Sequence, residues 1–349
     1  MMHMKKYGAH TLDPAPPERF RWLIVVLLLL SAIHCALCIF FVNISVVDLH
    51  SYARGLERTP YQSRVGMIPV LLAAEHSSRL VKLAEKLETE RQKGSFGHNS
   101  EPVSVEKLAC IAAGTAALVL MVSTAVILGS RRLPEFWWLF PMLLLLILYV
   151  SYAARCEANF WYPYDLPHFL LFGVASLAIL EGRWLLFLAC IIPDIALRET
   201  AIFLLPCLAL VAWKRGELKH ALPAGAVAML IWLPVFAWTH VRFRHNPSET
   251  GVHISQAIHA LTDPLHWPQL ASAFGFLLIP LALGAKRLEA TQQLFLIGAL
   301  PGLLITLLFG VWFESRIFDE WVLPFSFLLA CEVTTIVELR REQFAHSVP

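Results

Sequence analysis

An all-α, polytopic integral membrane protein is the fold predicted, and three features of the chain predict it. Hydrophobic residues make up 57% of the sequence and charged residues 15%, where a soluble domain carries roughly 25% charged residues. The apolar residues fall in runs long enough for a bilayer crossing, which takes about 20 residues as a helix. Lys and Arg gather at the ends of those runs, as topology in a membrane requires. Run by run, the chain holds about 8–10 transmembrane helices, including one broken or re-entrant pair, with an amphipathic helix in the first outer loop. Residues 1–21 are a cytoplasmic tail, 22–341 a single transmembrane domain and 342–349 a second cytoplasmic tail. The net charge of +2 comes with no basic tract, so nucleic acid is not an expected partner.

The tail holds Pro14, Pro16 and Pro17 with Lys5, Lys6, Arg19 and Arg21. Trp22–Val47 is an uncharged run of 26 residues, too long for the core of a cleaved signal peptide, and reads as a retained first span. The first outer loop, 48–106, is the longest polar segment. Within it Val65, Ile68, Leu72, Leu80, Leu83 and Leu87 fall on one helical face, with Arg79, Lys82, Glu85 and Lys86 opposite. That pattern suits a helix on the membrane surface and equally one packed on the outer loops. Leu108–Gly129, Phe136–Ala154 and a run from Pro163 or Leu166 to Leu180 follow as spans, bounded by Arg131, Arg132 and Arg183.

Trp184–Trp213 is interrupted by Pro193-Asp194 and Arg198-Glu199. A single crossing would put Lys214, Arg215 and Lys219 outside, against the positive-inside tendency. Two half-helices that enter and return keep them inside and leave Arg198-Glu199 at the tip, an arrangement tolerated where it lines a protein cavity. Ala221–Thr239 is the next span. An outer loop, 242–267, carries His245, His253, His259 and His266. Spans at Leu270–Ala285, Leu294–Phe313 and Trp321–Val337 complete the bundle. Setting the long first loop aside, the short segments on the N-terminal side hold most of the Lys and Arg, which places the N-terminus in the cytoplasm.

With this topology one face collects Asp48, Arg54, Arg64, Asp165, Arg198, Glu199, Glu314 and Arg316, together with Arg155, Glu157, Asp319 and Glu320. Ionisable groups at a membrane mouth are costly unless they serve a site or pair with one another. Arg198-Glu199 reads either as a bridge capping the half-helices or as a clamp on phosphate, which Arg grips bidentately. Asp48 reads either as a helix-terminal acid in water or as a general base beside a cavity. The seven cysteines have no metal spacing and six lie in apolar segments, where Cys behaves as a small apolar residue. The histidines likewise lack metal spacing, and no phosphate-cradling glycine loop, nucleophile elbow or kinase motif is present.

Four short stretches carry a resemblance. They are Asp48 followed by Tyr52 and by Pro60-Tyr61-Gln62-Ser63-Arg64; Tyr162-Pro163-Tyr164-Asp165 leading into a span; Leu197-Arg198-Glu199-Thr200-Ala201; and Trp312-Phe313-Glu314-Ser315-Arg316-Ile317-Phe318. Together they resemble bacterial polytopic proteins related to the GT-C glycosyltransferases. The resemblance implies hexosyl transfer from a polyprenyl-phosphate donor at the non-cytoplasmic face of a bacterial inner membrane. It implies that Asp48 is the catalytic acid of the first outer loop and that Arg64 and Arg198, with Arg316, grip the lipid phosphate. Tyr52, Tyr61, Trp161, Tyr164, Arg54, Asp165, Glu199 and Glu314 would complete the substrate site. The acid pair of metal-using members is replaced by Asp48-Leu49-His50, so neither a divalent metal nor another cofactor is expected. The expected partners are the membrane and a polyprenyl-phosphate lipid. A transporter or flippase for a lipid-linked or anionic solute is the alternative that the broken 184–213 segment supports, and a non-catalytic subunit of an envelope assembly is a third.

Overall fold

A computed structural model describes residues 18–94, 101–153, 160–248, 278–309 and 315–347, with short stretches between 254 and 267. The all-α architecture is what it shows. α1 (Glu18–Val42) crosses first, followed by β1 (Ile44–Ser45) and α2 (Leu49–Ala53). α3 (Ile68–Glu75) and α4 (Ser78–Gln92) lie in the first loop, and α5 (Val105–Arg132) returns. α6 (Leu139–Leu148) runs into a π-helical turn, Tyr149–Ala153. β2 (Phe160–Trp161) pairs in parallel with β1, Ile44 opposite Phe160 and Ser45 opposite Trp161. Then come α7 (Asp165–Glu181), α8 (Trp184–Leu197), α9 (Leu204–Arg215) and α10 (Leu218–Arg242). α11 (Leu278–Gly284), α12 (Ala290–Phe309) and α13 (Val322–Ser347) end the described chain.

Among the described residues, five helices are long and apolar enough to cross a bilayer: Phe20–Val42, Val105–Arg132, Leu218–Arg242, Ala290–Leu308 and Phe318–Phe344. α6, with its π turn, and α8 are shorter apolar helices. Many of their Leu, Ile and Trp side chains point outward, among them Trp22, Leu30, Leu120, Leu230 and Trp238, as they must where lipid is the solvent. This is a multi-pass membrane protein.

α7 is the axis of the bundle. Twelve of its 17 residues are buried, and it packs against α5, α8, α9 and α13. α7 and α9 each end on a glycine in the left-handed conformation, Gly182 and Gly216, both with φ +72°, the backbone geometry that terminates helices and that a Cβ disfavours. Beside these ends Trp184 Nε1 donates to Glu217 Oε2 at 3.1 Å and Arg215 bonds the Leu180 carbonyl. The start of α8 and the end of α9 therefore lie on the same side, and 184–215 is the hairpin that the cation distribution predicts. Pro193 within α8 supplies no N–H to the helix ladder. The helix stops at Leu197, Arg198 is extended (φ −157°, ψ 135°), and a 3₁₀ turn over Glu199–Phe203 reverses the chain. Trp232 Nε1, on α10, holds that turn by donating to the Glu199 carbonyl at 3.1 Å. α9 then lies against α12 so closely that a Cβ on Gly298 would stand 2.6 Å from Cys207 Cα.

The first loop departs from expectation. The apolar stripe that predicts one amphipathic helix is cut at His76–Ser77 into α3 and α4, and Leu72 and Leu83 of that stripe are exposed. Met67, Leu71, Ala74 and Ala84 are buried instead, because α3 and α4 both pack onto α5 and contact selects the face that fits. The outward Leu72 and Leu83 leave an apolar surface of the kind that suits a membrane interface. Residues 1–17 and 348–349 of the tails, Arg155, Glu157 and Glu314 lie outside the described residues.

Candidate functional site at the mouth of the bundle

The hairpin tip, the start of α7, the segment before α13 and the first loop meet at one end of the bundle. The outermost contact is from the loop. Arg64 follows a 3₁₀ turn over Tyr61–Ser63, and its guanidinium holds Glu199 at both carboxylate oxygens, Nε to Oε2 at 3.1 Å and Nη2 to Oε1 at 2.8 Å. Nη1 donates to the Tyr164 hydroxyl at 2.9 Å, and the cation lies 5.0 Å from the centre of that ring. Tyr52, on α2, donates its hydroxyl to the Arg64 carbonyl. Tyr164 stacks on Tyr162 at 5.7 Å, and Tyr162 meets Tyr61 at 5.1 Å. Gly66 lets the loop close on the tip of α8, since a Cβ there would stand 3.0 Å from the Ala196 backbone.

Beneath this layer is a fully buried cluster. His168, one turn into α7, sits between two acids, with Nδ1 2.7 Å from Asp194 Oδ1 on α8 and Nε2 3.0 Å from Glu320 Oε2. None of the three side chains touches solvent. Glu320 belongs to a 3₁₀ segment, Ser315–Trp321, that leads into α13. Thr200 from the tip donates to Glu320 Oε2 at 2.7 Å, and Thr306 of α12 donates to Oε1 at 3.4 Å. Arg198 closes the cluster with Nη1 3.8 Å from Glu320 Oε2. Arg198 is only 7% exposed, yet its Nε and Nη1 have no hydrogen-bond partner among the described residues. A buried guanidinium presents donors that cost free energy when left unmade, and they suit a planar anion with several acceptor oxygens.

The residues that the sequence singles out therefore divide. Tyr52, Tyr61, Arg64, Tyr164, Arg198 and Glu199 converge. Asp165 is buried next to them and takes the Tyr152 hydroxyl at 3.1 Å. Asp48 and Arg54 sit further out. Asp48 is the exposed N-cap of α2, accepting from Ser51 Oγ at 2.6 Å and from the His50 amide at 3.1 Å. The Ser51 hydroxyl, with the amides behind it, holds its carboxyl below the usual range. Arg54 pairs with Glu75 at 3.1 Å. The side chain of Arg316, like Glu314, is outside the described residues. His168, Asp194, Thr200 and Thr306 are not among the candidate site residues that the sequence singles out. The signal for the first two was there, because an ionisable residue inside an apolar run points to function by default.

His50, Glu75 and Glu106 bring one potential metal-ligand atom each to within 4.8 Å of one another. Arg54 Nη1 lies between two of them, 2.9 Å from His50 Nδ1 and 3.1 Å from Glu75 Oε1, so the chain's own cation neutralises that corner. A cavity of about 300 Å³ opens at the opposite end of the bundle, where Arg132, Glu181, Arg215 and Arg287 line it. No family model matches the chain, and no curated protein or solved structure matches it.

Proposed function

We propose that this protein is a GT-C-like glycosyltransferase. It moves a sugar from a polyprenyl-phosphate donor to an acceptor hydroxyl at the face where the first loop and the hairpin tip meet. One observation carries the reading: Arg198, buried and short of hydrogen-bond partners, stands at the mouth beside a second arginine, Arg64, that the tyrosines position. The unpartnered donors of Arg198 suit the phosphate of a lipid-linked sugar and would stabilise the charge that develops on it as the glycosidic bond breaks, while Arg64, held by Glu199 and Tyr164, fixes the first loop over that site. The acceptor oxygen displaces the phosphate at the anomeric carbon. In this reading Asp48, the exposed cap of the helix carrying Tyr52, takes the acceptor's proton from its place at the rim of the converging residues. In this reading the membrane is a bacterial inner membrane, the N-terminus is cytoplasmic and the mouth faces away from the cytoplasm.

The buried His168–Asp194–Glu320 cluster also suits a proton-coupled transporter, since such pathways are built from acid and histidine chains. Its position favours the transferase. His168 is one turn from the start of α7, Asp194 three residues from the end of α8 and Thr306 three from the end of α12, so the charges gather at one end and do not descend through the bilayer. The test is release of polyprenyl phosphate from radiolabelled polyprenyl-phosphate sugars by purified protein in nanodiscs, with a bacterial membrane lipid and glycan extract supplying the acceptor hydroxyl and release by the unaltered protein as the reference. Arg198→Gln should lower the rate at least ~100-fold, about 2.7 kcal/mol of transition-state stabilisation. Equal rates in the two proteins, with both folded, would refute the assignment.

A further inference from the structure

We infer that the mouth site takes a phosphate monoester dianion and binds about one proton with it, the proton being held by the His168–Asp194–Glu320 cluster. This rests on the reading of Arg198 as an anion site.

The first step is a count of protons. Both ring nitrogens of His168 lie within hydrogen-bond distance of a carboxylate oxygen, at 2.7 and 3.0 Å. Each contact needs a hydrogen, and a neutral imidazole supplies one. The trio therefore holds one further proton, on the second ring nitrogen or on a carboxyl group, and carries a net charge of −1. Arg198 offsets that charge, so these four side chains together are neutral when no ligand is present.

The neighbouring titratable groups do not alter the count. Glu199 is engaged by Arg64 at both oxygens. Asp165, on the same helix as His168, takes the Tyr152 hydroxyl, and Asp319, beside Glu320, takes the Ser151 hydroxyl at 2.9 Å; these bonds leave the charge of either carboxyl as it is, and any negative charge there strengthens the drive for proton uptake when an anion enters. Cys190, one turn below Asp194 on α8, is a buried thiol. Arg198, Asp194, His168 and Glu320 are the groups joined to one another in the cluster.

The second step is the ligand's charge. A phosphate diester, such as a lipid-linked sugar, carries one negative charge. A monoester above its second pKa of about 6 carries two. Bringing two negative charges to a neutral buried cluster favours proton uptake by its carboxylates. Asp194 is the acceptor best placed, because its Oδ2 is buried without a hydrogen-bond partner among the described residues and so is the oxygen least supported as an anion. The proton comes from solvent and leaves with the ligand. The only bond formed is O–H on the carboxyl group. In a transfer cycle the same proton would offset the charge gained when diester becomes monoester.

The measurement is isothermal titration calorimetry of the full-length protein in nanodiscs at pH 8, with farnesyl phosphate and separately with inorganic phosphate. Buffers of low and high ionisation enthalpy are compared. The slope of observed enthalpy against buffer ionisation enthalpy counts protons, and about one taken up is expected. Correspondingly, Kd should rise about tenfold per pH unit over the range where uptake is complete. Binding of farnesyl phosphate alone assigns the site to a lipid headgroup. Equal binding and slope for inorganic phosphate supports the linkage and assigns it to a free anion. Binding with zero slope overturns this inference and leaves the anion site standing. No binding of either ligand overturns both. Asp194→Asn, checked for folding by its unfolding temperature, should bind with the slope reduced to zero, and an unchanged slope would overturn Asp194 as the proton's acceptor. Should that variant fail to fold, the wild-type buffer series still decides.

Discussion

Arg64 and Glu199 are 135 residues apart in the chain, and their pairing joins the first loop to the hairpin tip. The perturbation we develop is the cycle Arg64→Gln, Glu199→Gln and the double variant. Two charge-assisted hydrogen bonds, 3.1 and 2.8 Å long, connect the pair, with a third from Arg64 to Tyr164. Removing one partner of a buried pair costs about 3–5 kcal/mol, and a charged hydrogen bond is worth about 1.5–3 kcal/mol. The Glu199 side chain is 34% exposed and that of Arg64 11%, so water screens part of the attraction and the lower end applies. Arg64→Gln should destabilise by about 3 kcal/mol, with the Tyr164 hydroxyl losing its donor as well. Glu199→Gln should cost less, about 2 kcal/mol, because Arg64 keeps Tyr164. The coupling between the two sites should be about 1.5–2 kcal/mol. Equilibrium unfolding in mixed micelles, followed by tryptophan fluorescence, measures it. Additivity within ~0.5 kcal/mol would show that loop and tip are not joined by this contact, and the layered mouth described above would fall with it.

Three further variants test the same structure. Asp48→Asn should keep the cap of α2, since Asn caps as well as Asp, so lost transfer with normal abundance isolates an acid role and full activity removes Asp48 from the chemistry. The Asp48 carboxyl titrates below its unfolded value, so its contribution is present above the unfolded range near pH 4 and is lost as pH falls through the folded value; Asp48→Asn should lack that acid limb in a pH series of unfolding temperatures. Gly298→Val should destabilise by about 1–3 kcal/mol, because the Cβ position is 2.6 Å from Cys207 Cα; an unchanged melting profile would contradict the close approach of α9 and α12. Thr200→Cys, in a background without native cysteines, should be labelled in intact cells by an impermeant thiol reagent, and protection until the cytoplasmic side is opened would reverse the orientation.

The composition and the spacing of apolar runs determined the class of fold, because only helices or closed barrels satisfy the backbone in lipid and the run lengths are helical. The hairpin at 184–215 was legible too, since Lys214, Arg215 and Lys219 carry a topological signal of their own. The gathering of Tyr52, Arg64, Tyr164 and Glu199 at one face followed from that topology. What remained hidden depends on contact across the chain. The first loop shows a clean apolar period, yet α3 and α4 break at His76–Ser77 and bury a different face, because packing on α5 outweighs the period of either short helix. Asp48 ends the first span as a base would, but only the fold shows it accepting from Ser51 and His50 as a cap. Asp194 read as an interruption and His168 as one histidine among 14. Their meaning lies in a meeting with Glu320, 152 residues beyond His168. A sequence shows where a charge is costly to bury, and only the tertiary structure shows which partner offsets that cost.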